Sequence, residues 1–342
     1  MIKVFGKAPL AREMLGLEKT RNFKNGRFHN LEKTEVKPKD VSFFKLLSDF
    51  WKRPKSVTPS RVLPFVNSDL LHLPDHPAFV WFGHSSYLLK IRNIVILVDP
   101  VFSGYASPVS FFGKAYKGAN RYQAEDMPAI DILLLTHDHY DHFDYRTLKK
   151  LKSRVKRVVC SFGLGAHLKY WGYPAENISE LTWNESFQLS DQIKITATPA
   201  RHFSGRGVVR GKTLWSSFVL EGFGYRYYLG GDSGYSSQFK EIGDRYGPFD
   251  LAILECGQYG ENWPDIHSFP EQLVQEAHDL RATRVIPVHW GKFTLSVHPW
   301  NEPVKRFIKA AGEAGLPYVV PRIGEIYNPD QPYTQQIWWD FD

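Results

Sequence analysis

The sequence predicts an α+β fold in which β-sheets pack on each other and helices cover the outside. Three observations predict it. The early apolar segments follow one another in meander order. The later ones alternate with helical patterns. The residues able to do chemistry cluster just past the ends of apolar segments.

The elements follow in order. Segments 79–82, 86–91 and 94–98 are consecutive strands, and Arg92-Asn93 makes the turn between the last two. Segment 130–136 is a buried strand, and 145–151 is a short helix following it. Strands are expected at 157–160, 193–198, 217–220 and 225–229. Helices are expected at 237–246 and 270–280, then a strand at 285–289 and a helix at 303–314. No repeat of 20–50 residues and no low-complexity tract interrupts the pattern.

Length and composition fit that architecture. A chain of 342 residues that is 43% hydrophobic and 23% charged is long enough to bury a sizeable core. The ordinary composition excludes collagen, coiled coil and wholesale disorder. Two cysteines, Cys160 and Cys256, cannot form a disulfide framework, which points to a reducing compartment. The apolar runs, such as 94–98, fall far short of the roughly 18 residues of a membrane span. No secretory h-region occurs in residues 1–12, so a cytoplasmic protein is expected.

Charge is unevenly spread. Residues 1–61 hold 15 Lys and Arg against 6 Asp and Glu, whereas the remainder has a net charge of −2. Residues 1–76 are therefore read as a basic extension and 77–342 as the main domain. Within the extension, apolar residues at 43, 44, 47, 50 and 51 form a helical stripe that Pro54 ends. Such a helix packs on or beside the core. The sharper alternative is peripheral contact with an anionic membrane surface.

The chemistry is concentrated in four places. His137-Asp138-His139-Tyr140-Asp141-His142 follows the buried strand directly. At a strand end, residues i and i+2 face one side, so His137 and His139 can share one metal. The following turn can aim Asp141 and His142 at a second. Three of the 13 histidines fall within these six positions, a large local excess. His202, Asp232 and His289 each lie at or just past a later strand end, Asp232 in the Gly-rich run Gly230-Gly231-Asp232-Ser233-Gly234. Taken singly, each of these is an ordinary turn or core residue. Together the seven make a ligand set.

This order of ligands resembles the metallo-β-lactamase superfamily. The resemblance is closer still to the branch of N-acylphosphatidylethanolamine-hydrolysing phospholipase D and its bacterial relatives. The segments that carry it are 82–86, 98–103, 137–142, 198–202, 231–235 and 286–291. It implies a four-layer αβ/βα sandwich of two mixed sheets, with the site among loops at one edge. It also implies two divalent metal ions, Zn first and Mn or Fe as alternatives. His137, His139 and His202 would hold one ion, Asp141, His142 and His289 the other, and Asp232 would bridge them.

Asp99 orients a ligand or loop from behind, and His84 is placed near the site, with a packed strand-end residue as its alternative reading. By the same resemblance, Asp141, Asp232 and His267 are the catalytic groups, with His267 touching phosphate or helping the leaving group. Arg206 and Lys292, beside ligands, are candidates for binding substrate phosphate. The implied reaction is hydrolysis by a hydroxide held between the metals. A small-molecule or lipid phosphodiester is expected as substrate, a lactone or ester as the alternative, and nucleic acid is not expected. A non-catalytic metal-binding interaction protein is the reading from another class. Oligomeric state is left open.

Overall fold

The computed structural model describes residues 3–17, 20–36, 48, 52–207 and 209–341. Two short strands near the start, β1 (Phe23–Lys24) and β2 (Arg27–Phe28), form a hairpin. Its turn is Asn25-Gly26, both left-handed at φ 52° and 68°. An Asn-Gly pair suits a two-residue turn with positive φ at both central positions.

Thirteen further strands build two sheets. One contains β3 (Ala78–Trp81), β4 (Tyr87–Ile91), β5 (Ile94–Val98), β6 (Ile130–Leu135), β7 (Val155–Ser161), β8 (Ile178–Leu181) and β15 (Ile326–Tyr327). The other contains β9 (Ser186–Ser190), β10 (Ile193–Thr198), β11 (Ser217–Gly222), β12 (Tyr225–Leu229), β13 (Leu251–Glu255) and β14 (Val285–Val288). Their orders are β15-β3-β4-β5-β6-β7-β8 and β14-β13-β12-β11-β10-β9. Both are mixed: hairpin-linked strands pair antiparallel, and strands joined through helices pair parallel.

Strand periodicity explains the layering. Along β3 to β5, Phe79, Trp81, Tyr87, Leu89, Ile96 and Val98 face a core shared with the second sheet. Their alternates Val80, Leu88, Val95 and Leu97 face outward, onto a core that includes Leu148 and Leu151 of helix Tyr145–Leu151 and Leu164 and Leu168 of helix Leu164–Tyr170. Helices Gln238–Tyr246, Gln272–Leu280 and Glu302–Ala314 cover the second sheet through Phe239, Leu273, Ala277, Val304 and Phe307. The result is helix, sheet, sheet, helix. Pro287 inside β14 costs no ladder bond, because β14 is an edge strand.

The structure adds helix Leu164–Tyr170 and strands β8, β9, β13 and β15 to the expected elements. β8 and β9 are edge-region strands with polar, half-exposed sequences, so alternation is their only signal. β13 is a short run buried at every position. Short apolar runs of this kind do not separate strand from helix by periodicity.

The apolar stripe at 43, 44, 47, 50 and 51 lies outside the described residues. Among the described residues, no helix is long and apolar enough to cross a membrane. The segment before the stripe packs on the sandwich: Met14, Leu17, Phe23 and Phe28 share a buried cluster with Ala200, Leu214 and Trp215.

Candidate metal centre

The seven expected ligands meet at the strand ends where the two sheets come together. β6 runs through Thr136 into His137, and a turn in which His142 and Phe143 donate backbone N–H to the His139 carbonyl follows. Asp144 then caps helix Tyr145–Leu151 by accepting from the Arg146 N–H. The loop is thus held at both ends, which aims four side chains inward. β10 delivers His202, β12 delivers Asp232 and β14 delivers His289. His84, Asp99 and His289 all have left-handed backbones, at φ 54°, 40° and 67°. Strained backbone of this kind persists where surrounding structure over-determines it.

Two donor groups meet at Asp232, and a third, of Asp232, Glu255, His267 and His289, overlaps them. His137, His139, His202 and Asp232 offer atoms within 4.8 Å of one another, and so do His84, Asp141, His142 and His289. The two oxygens of Asp232 divide between the first two groups. Oδ1 lies 3.1 Å from His142 Nε2 and 3.2 Å from His289 Nδ1. Oδ2 lies 3.6 Å from His137 Nε2 and 3.7 Å from His202 Nε2.

Supporting contacts orient these rings. Asp99 accepts from the Thr136 N–H at 2.9 Å and meets His142 Nδ1 at 2.8 Å, leaving Nε2 for the centre. His202 Nδ1 faces the Ile266 carbonyl at 2.9 Å. His84 Nε2 meets Asp141 Oδ2 at 2.9 Å, so His84 steadies a carboxylate as well as standing in the second donor group. Ser85 Oγ meets His289 Nδ1 at 2.8 Å.

The donor set fits a divalent cation. His289 Nε2 is buried with no hydrogen-bond partner, and His142 Nε2 and Asp232 Oδ1, buried 3.1 Å apart, form an ion pair without hydrogen-bond geometry. Burying such an atom unpaired costs on the order of 1–3 kcal/mol, which a shared cation would relieve. Burial pushes the pKa of His137, His202 and His289 well below the ordinary value, keeping these rings in the neutral, metal-binding form. Burial opposes charge on Asp232, but the facing His142 outweighs it and holds the carboxyl well down. On His142 burial also opposes the proton, yet Asp232 and Asp141 win and raise its pKa well above ordinary. A bound cation would therefore displace a proton from His142.

A pair not anticipated from sequence, buried Glu255 with half-buried His267, adjoins the centre. Glu255, at the end of β13, accepts from the Ser268 N–H at 3.0 Å and faces His267 Nδ1 at 2.9 Å. His267 in turn packs against His202 and His289, with ring centres 5.0 and 5.2 Å away. Burial raises Glu255, and the Glu255 carboxylate raises His267 against burial, so the pair holds a proton strongly. The sequence signal was present: a lone carboxylate closing the apolar run Leu251-Ala252-Ile253-Leu254. A pocket of about 280 Å³ opens over His139, Asp141, Asp232, His267 and His289.

Two expectations need correction. Arg206 and Lys292 do not present cations to a substrate. Arg206 donates to the carbonyls of Asp138 and Phe143 at 2.7 Å each and to Val4, and its guanidinium lies 4.1 Å over the Tyr140 ring. It splints the metal loop from behind and ties the N-terminal segment to it. Lys292 is fully buried and donates to the carbonyls of Phe82 and Val101 at 3.0 and 2.8 Å. Burial drives its pKa down to about 7. In both cases, proximity in sequence to a ligand misled: buried carbonyls had the prior claim on the donors.

The N-terminal segment carries a pH prediction. The Lys7 N–H donates to Nδ1 of buried His167 at 2.9 Å, which requires a neutral ring. Burial lowers the His167 pKa from its ordinary 6.5 to about 4. The unfolded ring takes a proton as pH falls through 6.5, the folded one only near 4. This contribution is therefore complete above pH 6.5 and is lost on acidification toward pH 4. Amide protection over residues 3–17, measured against the intrinsic exchange rate at each pH, is expected to fall across that window. Unchanged protection at pH 4.5 would contradict it.

Comparison with known proteins defines the class. The Beta-lactamase superfamily domain model matches residues 95–290, and the chain belongs to that metallo-β-lactamase superfamily of metal-dependent hydrolases. It is 37% identical over 330 residues to an uncharacterised protein of Mycobacterium tuberculosis, covering 94% of this chain and 88% of that one. It is 32% identical over 281 residues to N-acyl-phosphatidylethanolamine-hydrolyzing phospholipase D 1 of Caenorhabditis elegans, covering 77% and 79%. Igni18, a metallo hydrolase from Ignicoccus hospitalis, shares the fold with a TM-score of 0.55 at 21% identity, covering 73% of this chain and 97% of that one.

Proposed function

We propose that this protein is a phosphodiesterase that uses two divalent ions, with Zn as the first candidate. The observation that carries the reading is the division of Asp232, whose two oxygens face separate histidine groups. Likeness to a phospholipase D supports a phosphodiester over other hydrolysable bonds. When bound, a pair of adjacent ions lowers the pKa of water and stabilises charge developing on a reacting phosphoryl oxygen.

The chain's own residues do the rest. His137, His139 and His202 would hold one ion; Asp141, His142 and His289 the other; Asp232 both. Asp99 and Thr136 fix the His142 ring. Glu255 holds Nδ1 of His267, which leaves Nε2 as the atom available to a departing oxygen in the pocket. That assignment makes His267 the proton donor to the leaving group.

Metal analysis together with turnover of bis-p-nitrophenyl phosphate beside a lactone panel tests the reading. About two equivalents of metal and diester turnover are expected. Lactone turnover alone, or a single equivalent that does not rise on adding metal, would overturn it. His267→Ala is expected to keep the metal content. It should slow diesters with alkoxide leaving groups by roughly 10²-fold or more, and p-nitrophenyl diesters far less, since p-nitrophenolate leaves without a proton. Metal loss in this variant would instead make His267 a ligand, as its place beside Asp232, Glu255 and His289 also permits.

A further inference from the structure

A second cleft, of about 430 Å³, adjoins the metal pocket, and His202 and Phe203 line both. Its outer wall is the N-terminal segment from β2 onward. That wall is pinned to the strand-end loop carrying His202. Asn30 donates from Nδ2 to the His202 carbonyl at 2.7 Å and accepts from the His202 N–H at 3.1 Å. Arg201 reaches across to the Lys33 carbonyl at 2.7 Å and Thr34 Oγ1 at 3.1 Å. The Phe28 N–H donates to the Gly211 carbonyl at 2.8 Å, closing the far side. The cleft is thus built by two segments far apart in sequence and held in register by hydrogen bonds.

Its lining has one chemical character. Phe28, Phe203 and Trp215 supply aromatic surface, and Arg27, Lys33 and Arg210 supply positive charge. Arg210 lies over the Phe203 ring at 4.8 Å, on the partition between the two pockets. Among the described residues, none of the three cations makes an ion pair. Glu32, the one carboxylate in the lining, is taken by the backbone N–H and hydroxyl of Ser237, at 3.1 and 2.7 Å. Unpaired guanidinium and ammonium groups around aromatic walls select an anion attached to an apolar body. A neutral alkyl chain would leave those cations unused.

We infer that this cleft is a subsite for a second anionic group on the substrate, carried on an apolar body beyond Phe203 from the metal centre. The inference rests on the hydrolase reading in naming the occupant as substrate, though not in the binding itself. It separates this protein from a diesterase whose substrate bears charge only at the scissile phosphorus. It also gives the basic N-terminal segment a part in recognition, as a wall of the site.

Binding calorimetry with the full-length protein tests it, using naphthalene-2-sulfonate as the anionic probe and naphthalene-2-sulfonamide as its neutral counterpart. The sulfonate should bind the wild type more tightly than the sulfonamide. Arg210→Glu and Arg27→Glu should each weaken the sulfonate on the order of tenfold or more and leave the sulfonamide as it was. Arg210→Lys should keep most of the preference, which guards against a folding defect. Equal binding of the two probes, or equal sulfonate binding to wild type and both charge reversals, would overturn the subsite. Sulfonate selectivity without turnover of any diester would sink the phosphodiesterase reading and leave the subsite standing. Diester turnover without selectivity would do the reverse.

Discussion

Asp232→Asn is expected to deplete the metal centre and collapse turnover. The side chain keeps its shape, so the backbone of the Gly-rich turn after β12 has no reason to move. What changes is charge. In the wild type, the Asp232 oxygens face His142 and His289 on one side and His137 and His202 on the other. An amide replaces one of those oxygens with an N–H donor, which cannot face a cation. It also removes the one negative charge common to both donor groups. Metal content should therefore fall at both positions together. Turnover should drop by more than the roughly 10²–10³-fold that losing a single oxyanion donor costs. The effect should appear in kcat, with KM little moved, because the group lost serves the reaction more than the resting complex. Metal analysis and kinetics on the same preparation check this. Full metal content with ordinary turnover would remove Asp232 from the centre.

The second large effect concerns stability. Trp290→Ala is expected to cost about 3–5 kcal/mol, the range for emptying a large aromatic from a core. Trp290 is buried and stacks on Trp338 at 5.2 Å, with Trp81 at 5.3 Å and Trp300 at 6.3 Å. Its indole donates to the Pro287 carbonyl at 3.0 Å. The cavity would not close easily, because its walls are other rigid indoles. The damage should also reach the centre. The Trp290 carbonyl accepts from the His84 N–H at 2.9 Å, and the His289 N–H donates to the His84 carbonyl at 3.0 Å. Denaturant unfolding with chelator present isolates the packing loss from metal binding, which itself stabilises the folded state. A loss below about 1 kcal/mol would mean that the tryptophan cluster repacks.

These two residues illustrate how differently parts of the protein were legible. The sheet strands β5, β10 and β12 and the helix Tyr145–Leu151 have the bounds expected of them, because short apolar runs bounded by turn residues, and helical spacing, are local signals. β9 and β13 escaped, one for its polar edge sequence and one for its brevity. The hairpin turn Asn25-Gly26 is a further local signal. The seven centre residues could be singled out because each stands at a strand end, and strand ends on one side of a sheet converge.

What the sequence alone determined is the family, the layered sheet architecture and the identity of the groups meeting at the strand ends. Local periodicity sets which residues are buried, and motif order sets which polar groups are brought together. Only the tertiary structure decided which cations remain free for a ligand. Arg206 and Lys292 sit beside ligands in sequence, yet buried carbonyls of distant segments claim their donors. Arg27 and Lys33 carried no motif, yet they stand with Arg210, which lies near His202 in sequence, in one cleft. Likewise Glu255 found His267 across a loop. The reason is physical: a donor's use depends on which acceptors reach it after the chain has packed, and those acceptors lie up to some two hundred positions away in sequence.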